Sequence, residues 1–374
     1  RAAAMEPEPP HCDLVPVDPV RPSADRLAEL GARLRDGALV AFPTETVYGL
    51  GPAIDRPDAL RRIFEVKGRP PTDPLIVHLA DPGDLAAGAL ELAAGALDGA
   101  ASDDRTGGLV AEVAPAAMAL ADAFWPGPLT IVVRRGRRID DVISAGGPSV
   151  GLRVPAHPVA AGLIRAAGCP LAAPSANRFG RISPTSAADV MDELGAWMRP
   201  LDAVVDGGPT PLGIESTVID LTGDPTVLRH GGVTVEDIES VIGHVDAPER
   251  RVVADDQAAS APGGLLRHYS PDTPLVLVEG DGRLADELAA ELRRRGVTAQ
   301  ALGLPVDAAA AAQVLYRTLR EADGGHAQVL LAVVVAPGGL GRGVNDRLFR
   351  AAHGRVVDDA TLATVDRVAA LARR

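Results

Sequence analysis

Apolar positions recur along this chain at two spacings, and the elements they predict are helices and strands in alternation. Leu27, Leu30 and Leu34 form the stripe of a helix that opens at Pro22-Ser23 and closes at Asp36-Gly37. The apolar run 38–42 reads as a strand, which Pro43 breaks into a polar turn of Thr44, Glu45, Thr46, Tyr48, Gly49 and Gly51. A helix over 57–66 buries Leu60, Ile63 and Phe64, and its last turn delivers Lys67, Gly68 and Arg69. Pro70, Pro71 and Pro74 then stop further helix ahead of a strand over 75–79. Residues 110–123 have helical spacing, and Trp125-Pro126-Gly127-Pro128 turns into a strand. A strand over 149–154 carries Arg153, a helix follows His157-Pro158, and a strand over 171–173 opens into a polar loop with Ser175, Asn177, Ser183 and Thr185. Thr185 or Ser186 caps the helix that runs to Leu194. ESTVIDL alternates like a strand, and a helix over 234–242 closes this part of the chain.

Composition then shifts. Residues 244–273 are polar, rich in Ala, Pro and Gly, and aperiodic, as in a linker. Beyond them strands near 275–278, 298–302 and 329–335 alternate with helical patterns, the signature of a small parallel α/β domain. The expected organisation is a flexible tail over 1–21, an α/β domain over 22–243 with a flexible Ala/Gly-rich insertion at 84–108, the linker, and an α/β domain over 274–374.

No run reaches the roughly eighteen apolar residues of a membrane span, and the start lacks the apolar segment of a signal peptide. Two cysteines, Cys12 and Cys169, make no disulfide framework, so a reducing, cytoplasmic setting is expected. The eight histidines are scattered, without metal-binding spacing, and no resident metal is expected. A formal charge of −13 argues against broad nucleic-acid binding while leaving room for a small basic pocket.

Lys67 is the only lysine, in a chain rich in arginine. Codon bias explains the scarcity; the survivor points to a place where a compact ammonium is needed and a planar fork will not serve. Arg153 on an apolar strand is costly to bury unless an anion pairs with it, which marks it as a carboxylate clamp or as the partner of an internal acid. Arg229 follows the same logic with less force, and His78, on LIVHL, divides between core and ligand. The Gly338–Gly343 turn has the wrong spacing for a dinucleotide, and neither GxxxxGK[ST] nor G-x-S-x-G occurs.

Taken in order, PTETVYGLG, K-G-R-P with PLIVH, WPGPLT, the Arg of GLRVP, APSAN followed by SPT, and ESTVID resemble the YrdC-like family. With the C-terminal α/β domain, the chain resembles the longer, two-domain threonylcarbamoyl-AMP synthases. The resemblance implies a twisted open α/β sheet with a concave groove, followed by a smaller Rossmann-like parallel domain. It implies that L-threonine, bicarbonate and ATP, with Mg²⁺, give threonylcarbamoyl-AMP and pyrophosphate, for transfer to tRNA by a separate threonylcarbamoyl transferase. Carried over by motif, Thr46, His78, Arg153, Ala173 and Ser216 surround threonine. Lys67, Arg69, Asp73, Ser149, Ser175, Asn177, Ser183 and Arg229 hold ATP, with Lys67 and Arg69 at the polyphosphate, and His268-Tyr269 of the linker lies over the nucleotide as a lid. Two other readings stay open at this point: an RNA-binding module on the same fold, with direct tRNA contact, and a carbamoyl-transfer enzyme with another acceptor.

Overall fold

The computed structural model describes residues 11–85, 108–248 and 268–373. Among these the strands build three sheets. The N-terminal α/β half is made in two parts. In one, Val40–Phe42 lies between Ala203–Asp206, parallel to it, and Gly49–Gly51, antiparallel to it, with Asp13–Pro16 at the far edge. The other is mixed, in the order Thr226–Arg229, Thr217–Asp220, Leu129–Arg135, Ser149–Arg153, Ile76–His78, Leu171–Ala172, with Val110–Glu112 also paired to Leu129–Arg135. Antiparallel bridges Gly49 to Ser175 and Ala53 to Leu171 join the two parts. Gly51 permits that junction, since a Cβ there would fall 2.9 Å from the Ala173 Cβ.

Helix ends follow local chemistry. Pro57 and Pro158 open their helices, Gly68 and Gly168 close them in left-handed backbone, and Ser186 and Thr234 form capping boxes with Asp189 and Asp237. Ser186, not Thr185, is therefore the cap.

The C-terminal sheet is parallel throughout, in the order Ala299–Ala301, Val329–Val333, Leu275–Val278, Val356–Val357. Strand alternation splits its core in two. Val276 and Val278 pack with Leu288, Leu292, Val365 and Val368 of the helices Gly282–Arg294 and Leu362–Ala369. Leu275 and Leu277 face the helices Ala308–Asp323 and Leu340–Ala351. That second layer also holds Val47, Ile182, Ile214 and Tyr269, so its helices are buried against the N-terminal half. Gly213, at φ +80°, lets the halves meet: a Cβ there would sit 2.5 Å from the Ala312 carbonyl oxygen.

The tail departs from expectation. Asp13–Pro16 is a strand, with Val15 and Val17 buried in the core, because DLVPV alternates and an edge strand tolerates Pro16. Residues 110–123 also divide, into the strand Val110–Glu112 and the helix Pro115–Phe124, since Pro115 can begin a helix but not continue one. Nearly all of the insertion expected over 84–108, and the centre of the linker (249–267), lie outside the described residues.

Candidate active site

Strand ends supply the site. The parallel pairing of Ile76–His78 with Ser149–Arg153 sets His78 opposite Arg153 at the carboxyl edge of the sheet, where open α/β sheets hold ligands. The loop after Val40–Phe42 is folded onto itself: Thr44 Oγ accepts from the amides of Thr46 (3.1 Å) and Val47 (3.3 Å). This turn presents Thr46 to Arg153, whose Nη1 donates to Thr46 Oγ at 3.0 Å and whose Nε donates to the Gly127 carbonyl at 3.2 Å. Arg153 is 4% exposed, and its Nη2 lies 2.6 Å from Glu45 Oε1. The guanidinium thus already faces a carboxylate, the internal one of Glu45.

Opposite, Ser216 Oγ is 2.8 Å from Thr130 Oγ and accepts from Arg229 Nη2 at 3.1 Å, while Arg229 Nε reaches the Ser216 carbonyl at 3.1 Å. Arg69 is ion-paired with Asp73 at 2.9 Å and donates to the Pro74 carbonyl at 2.7 Å. Between these walls lies a cavity of about 40 Å³, well below the roughly 300–1,000 Å³ of ordinary ligand sites. His268 and Tyr269 occupy its roof, the rings 4.1 Å apart and His268 edge-on to Phe179 at 6.0 Å. His268 Nδ1 and the Tyr269 hydroxyl are buried without a hydrogen-bond partner among the described residues.

Of the residues expected from sequence, Thr46, His78, Arg153, Ala173, Ser216, Arg69, Ser175, Arg229, His268 and Tyr269 all line this cavity. Lys67, Asp73, Asn177, Ser183 and Ser149 do not. Lys67 is buried beneath the loop, its ammonium donating to the carbonyls of Ser175 and Asn177, so it supports the wall instead of projecting through it. Asn177 spends its amide on the carbonyls of Arg178 (2.8 Å) and Arg181 (3.0 Å), and Ser183 donates to Glu215 at 2.6 Å. Ser149 begins the strand that Arg153 ends, on the same face but about 13 Å away at strand rise.

The sequence reading missed Glu215, which lines the cavity and is 5% exposed. Burial alone would raise its carboxyl; Arg347 and Arg229, with the hydroxyls of Ser183 and Tyr316, hold it below the usual range. Lys67 is also shifted down, well below an ordinary lysine, by burial and then by Arg69.

His78 is pushed down to about 3 by burial and by the charge of Arg153. It is neutral at physiological pH, so the unfolded chain takes up a proton near 6.5 that the folded chain refuses. Stability therefore falls as pH drops from about 6.5 towards 3, by roughly 1.4 kcal/mol per unit for this group. Chemical denaturation at pH 7, 6, 5 and 4 should give His78→Gln a shallower loss than the parent; parallel curves would show that His78 titrates normally.

A family model described as telomere recombination (Sua5_yciO_yrdC) matches residues 32–231, and one described as threonylcarbamoyl-AMP synthase, C-terminal domain, matches residues 233–353. The chain is 37% identical to the threonylcarbamoyl-AMP synthase of Pyrococcus abyssi, over 87% of this chain and 93% of that one. It is 36% identical to that of Bacillus subtilis, over 89% and 94%. The crystal structure of P. abyssi Sua5 complexed with L-threonine superposes with a TM-score of 0.80 at 36% identity, covering 93% of this chain and 99% of its own. The chain belongs to the threonylcarbamoyl-AMP synthase family, in its two-domain form, and is a nucleotidyltransferase.

Proposed function

We propose that this cavity, widened as Glu45 leaves Arg153 and the His268 ring moves aside, binds L-threonine through Arg153 and Thr46, admits ATP along the side lined by Arg69, Ser175 and Arg229, and joins them through bicarbonate. The observation that carries the reading is the buried guanidinium of Arg153, which faces a carboxylate at 2.6 Å and holds the Thr46 hydroxyl with another nitrogen. A threonine carboxylate entering here would take the place of Glu45, which a bidentate fork accommodates without rebuilding. Ala173, His78 and Ser216 then border the amino acid.

Bicarbonate gives up hydroxide to form carbon dioxide, the amine attacks that carbon while its proton joins the hydroxide as water, and the carbamate oxygen attacks the α-phosphate with loss of pyrophosphate. The chain's contribution is proximity and neutralisation of the phosphate charge by Arg69 and Arg229. Burial beneath His268 and Tyr269 keeps water from the labile carbamate. Among the described residues no group of three or more His, Cys, Asp or Glu could hold a metal. Mg²⁺ would enter as an ion carried on the nucleotide's phosphates. Downstream, the adenylate is handed to a tRNA threonylcarbamoyl transferase. Cys12 and Cys169 are free thiols, in keeping with a reducing, cytoplasmic compartment, and no helix among the described residues is long and apolar enough to cross a membrane.

The test is pyrophosphate release from ATP by the purified full-length chain, omitting L-threonine and bicarbonate in turn and identifying the nucleotide product by mass. Release that needs both, with a threonylcarbamoyl-adenylate product, is expected. Release indifferent to threonine would refute the reading.

A further inference from the structure

The contacts that the C-terminal domain makes with the active site centre on Glu215. From the N-terminal half Ser183 donates a hydrogen bond to its carboxylate and the charge of Arg229 acts on it; the second domain adds two further partners. The Tyr316 hydroxyl, on the helix Ala308–Asp323, lies 3.0 and 2.8 Å from the two oxygens, and Arg347 Nε, on Leu340–Ala351, donates at 3.0 Å.

Arg347 does more than neutralise Glu215. It is wholly buried, donates through Nη1 to the His230 carbonyl beside Arg229, and lies under the ring of Tyr269 at 5.3 Å. Tyr316 stacks on the same ring, at 5.7 Å and 29°. Tyr269 has left-handed backbone, φ +58°, an unfavourable conformation for a bulky residue that persists only where its surroundings fix it. Two side chains of the C-terminal domain therefore reach three parts of the cavity wall: the Glu215-Ser216 strand entry, the turn after Arg229, and the aromatic roof.

We propose that Tyr316 and Arg347 are positioning residues for the reaction, which set Ser216 and Tyr269 around the amino-acid pocket by clamping Glu215, so that the C-terminal domain completes the threonine site. The proposal rests on the placement of threonine given above. A role in domain cohesion alone predicts a different result: loss of the clamp would lower stability and leave the affinity of the folded enzyme untouched.

The experiment uses the full chain with Tyr316→Phe, which keeps the ring stack and removes only the hydroxyl, and Arg347→Lys, which keeps a charge but cannot span three partners. Pyrophosphate release is measured against L-threonine and against ATP separately, with folding checked by calorimetry. KM for L-threonine is expected to rise about tenfold in Tyr316→Phe, with KM for ATP near the parent value, and further in Arg347→Lys. A threonine KM within twofold of the parent in folded Tyr316→Phe overturns the proposal, whether or not Arg347→Lys folds. The parent chain separates the two readings: without threonine-dependent release both fall, whereas a normal parent beside an unaffected variant removes only the clamp.

Discussion

Arg153→Met is expected to lower kcat/KM for L-threonine by roughly a hundredfold or more. A hydrogen bond to a charged group contributes about 1.5–3 kcal/mol, and a fork engaging a carboxylate makes two; at 1.4 kcal/mol per factor of ten this gives the stated range. Arg153 also donates to Thr46 and Gly127, so its removal frees the Thr46 hydroxyl and strips Glu45 of its cation. Leaving one member of a buried ion pair unpartnered costs about 3–5 kcal/mol of stability, and Glu45→Gln combined with Arg153→Met removes that penalty. Steady-state pyrophosphate release in the double variant thus isolates the loss of substrate recognition from the loss of fold. Arg153→Lys should recover part of the single-variant loss, because charge is retained and the fork is not. A folded double variant with kcat/KM for threonine within threefold of the parent would remove Arg153 from the amino-acid site.

That Thr46, His78, Arg153, Ala173 and Ser216 line one cavity was legible because each sits in a short motif at the end of a strand, where backbone direction decides what reaches the groove. His78 and Arg153 are register partners, and Thr46 lies one tight turn from Phe42. The nucleotide-side residues were legible in type but only partly in direction. Lys67, Asp73, Asn177 and Ser183 are polar groups within the right motifs, yet Lys67 and Asn177 donate to backbone carbonyls, Asp73 pairs with Arg69 and Ser183 donates to Glu215. Nothing in a single sequence distinguishes a polar side chain that faces a ligand from one that holds up the loop beside it. Glu215 could have been suspected, as an acid opening a buried strand must find cations. Its partners Tyr316 and Arg347 lie over a hundred positions away on otherwise ordinary amphipathic helices, so only the fold could join them. The strand Asp13–Pro16 was legible in the alternation of DLVPV, which the surrounding prolines masked.

That distinction bears on Lys67, where sequence and structure agree on importance and differ on the reason. Lys67→Met is expected to lower kcat/KM for ATP by about a hundredfold and to destabilise the fold by about 2–6 kcal/mol. The carbonyls of Ser175 and Asn177 lose their donor, and each buried unsatisfied acceptor costs about 1–3 kcal/mol. The loop they belong to carries Ser175 into the cavity, so the damage reaches the nucleotide wall through the backbone. Lys67→Arg should fail to rescue, since a longer planar fork has no place where one compact ammonium meets two carbonyls in a fully buried setting. The supporting role also leaves a signature that a simple phosphate contact would not. Because burial, then Arg69, lowers the Lys67 pKa in the folded chain, the unfolded chain binds the extra proton above the folded pKa and below about 10.4. Across that window stability rises with pH in the parent, and Lys67→Met should lack this contribution. Denaturation curves at pH 7 to 10 for parent and variant test it directly: a constant gap between them would mean that the Lys67 amine titrates normally, whereas a gap that widens with pH supports the buried, loop-holding amine.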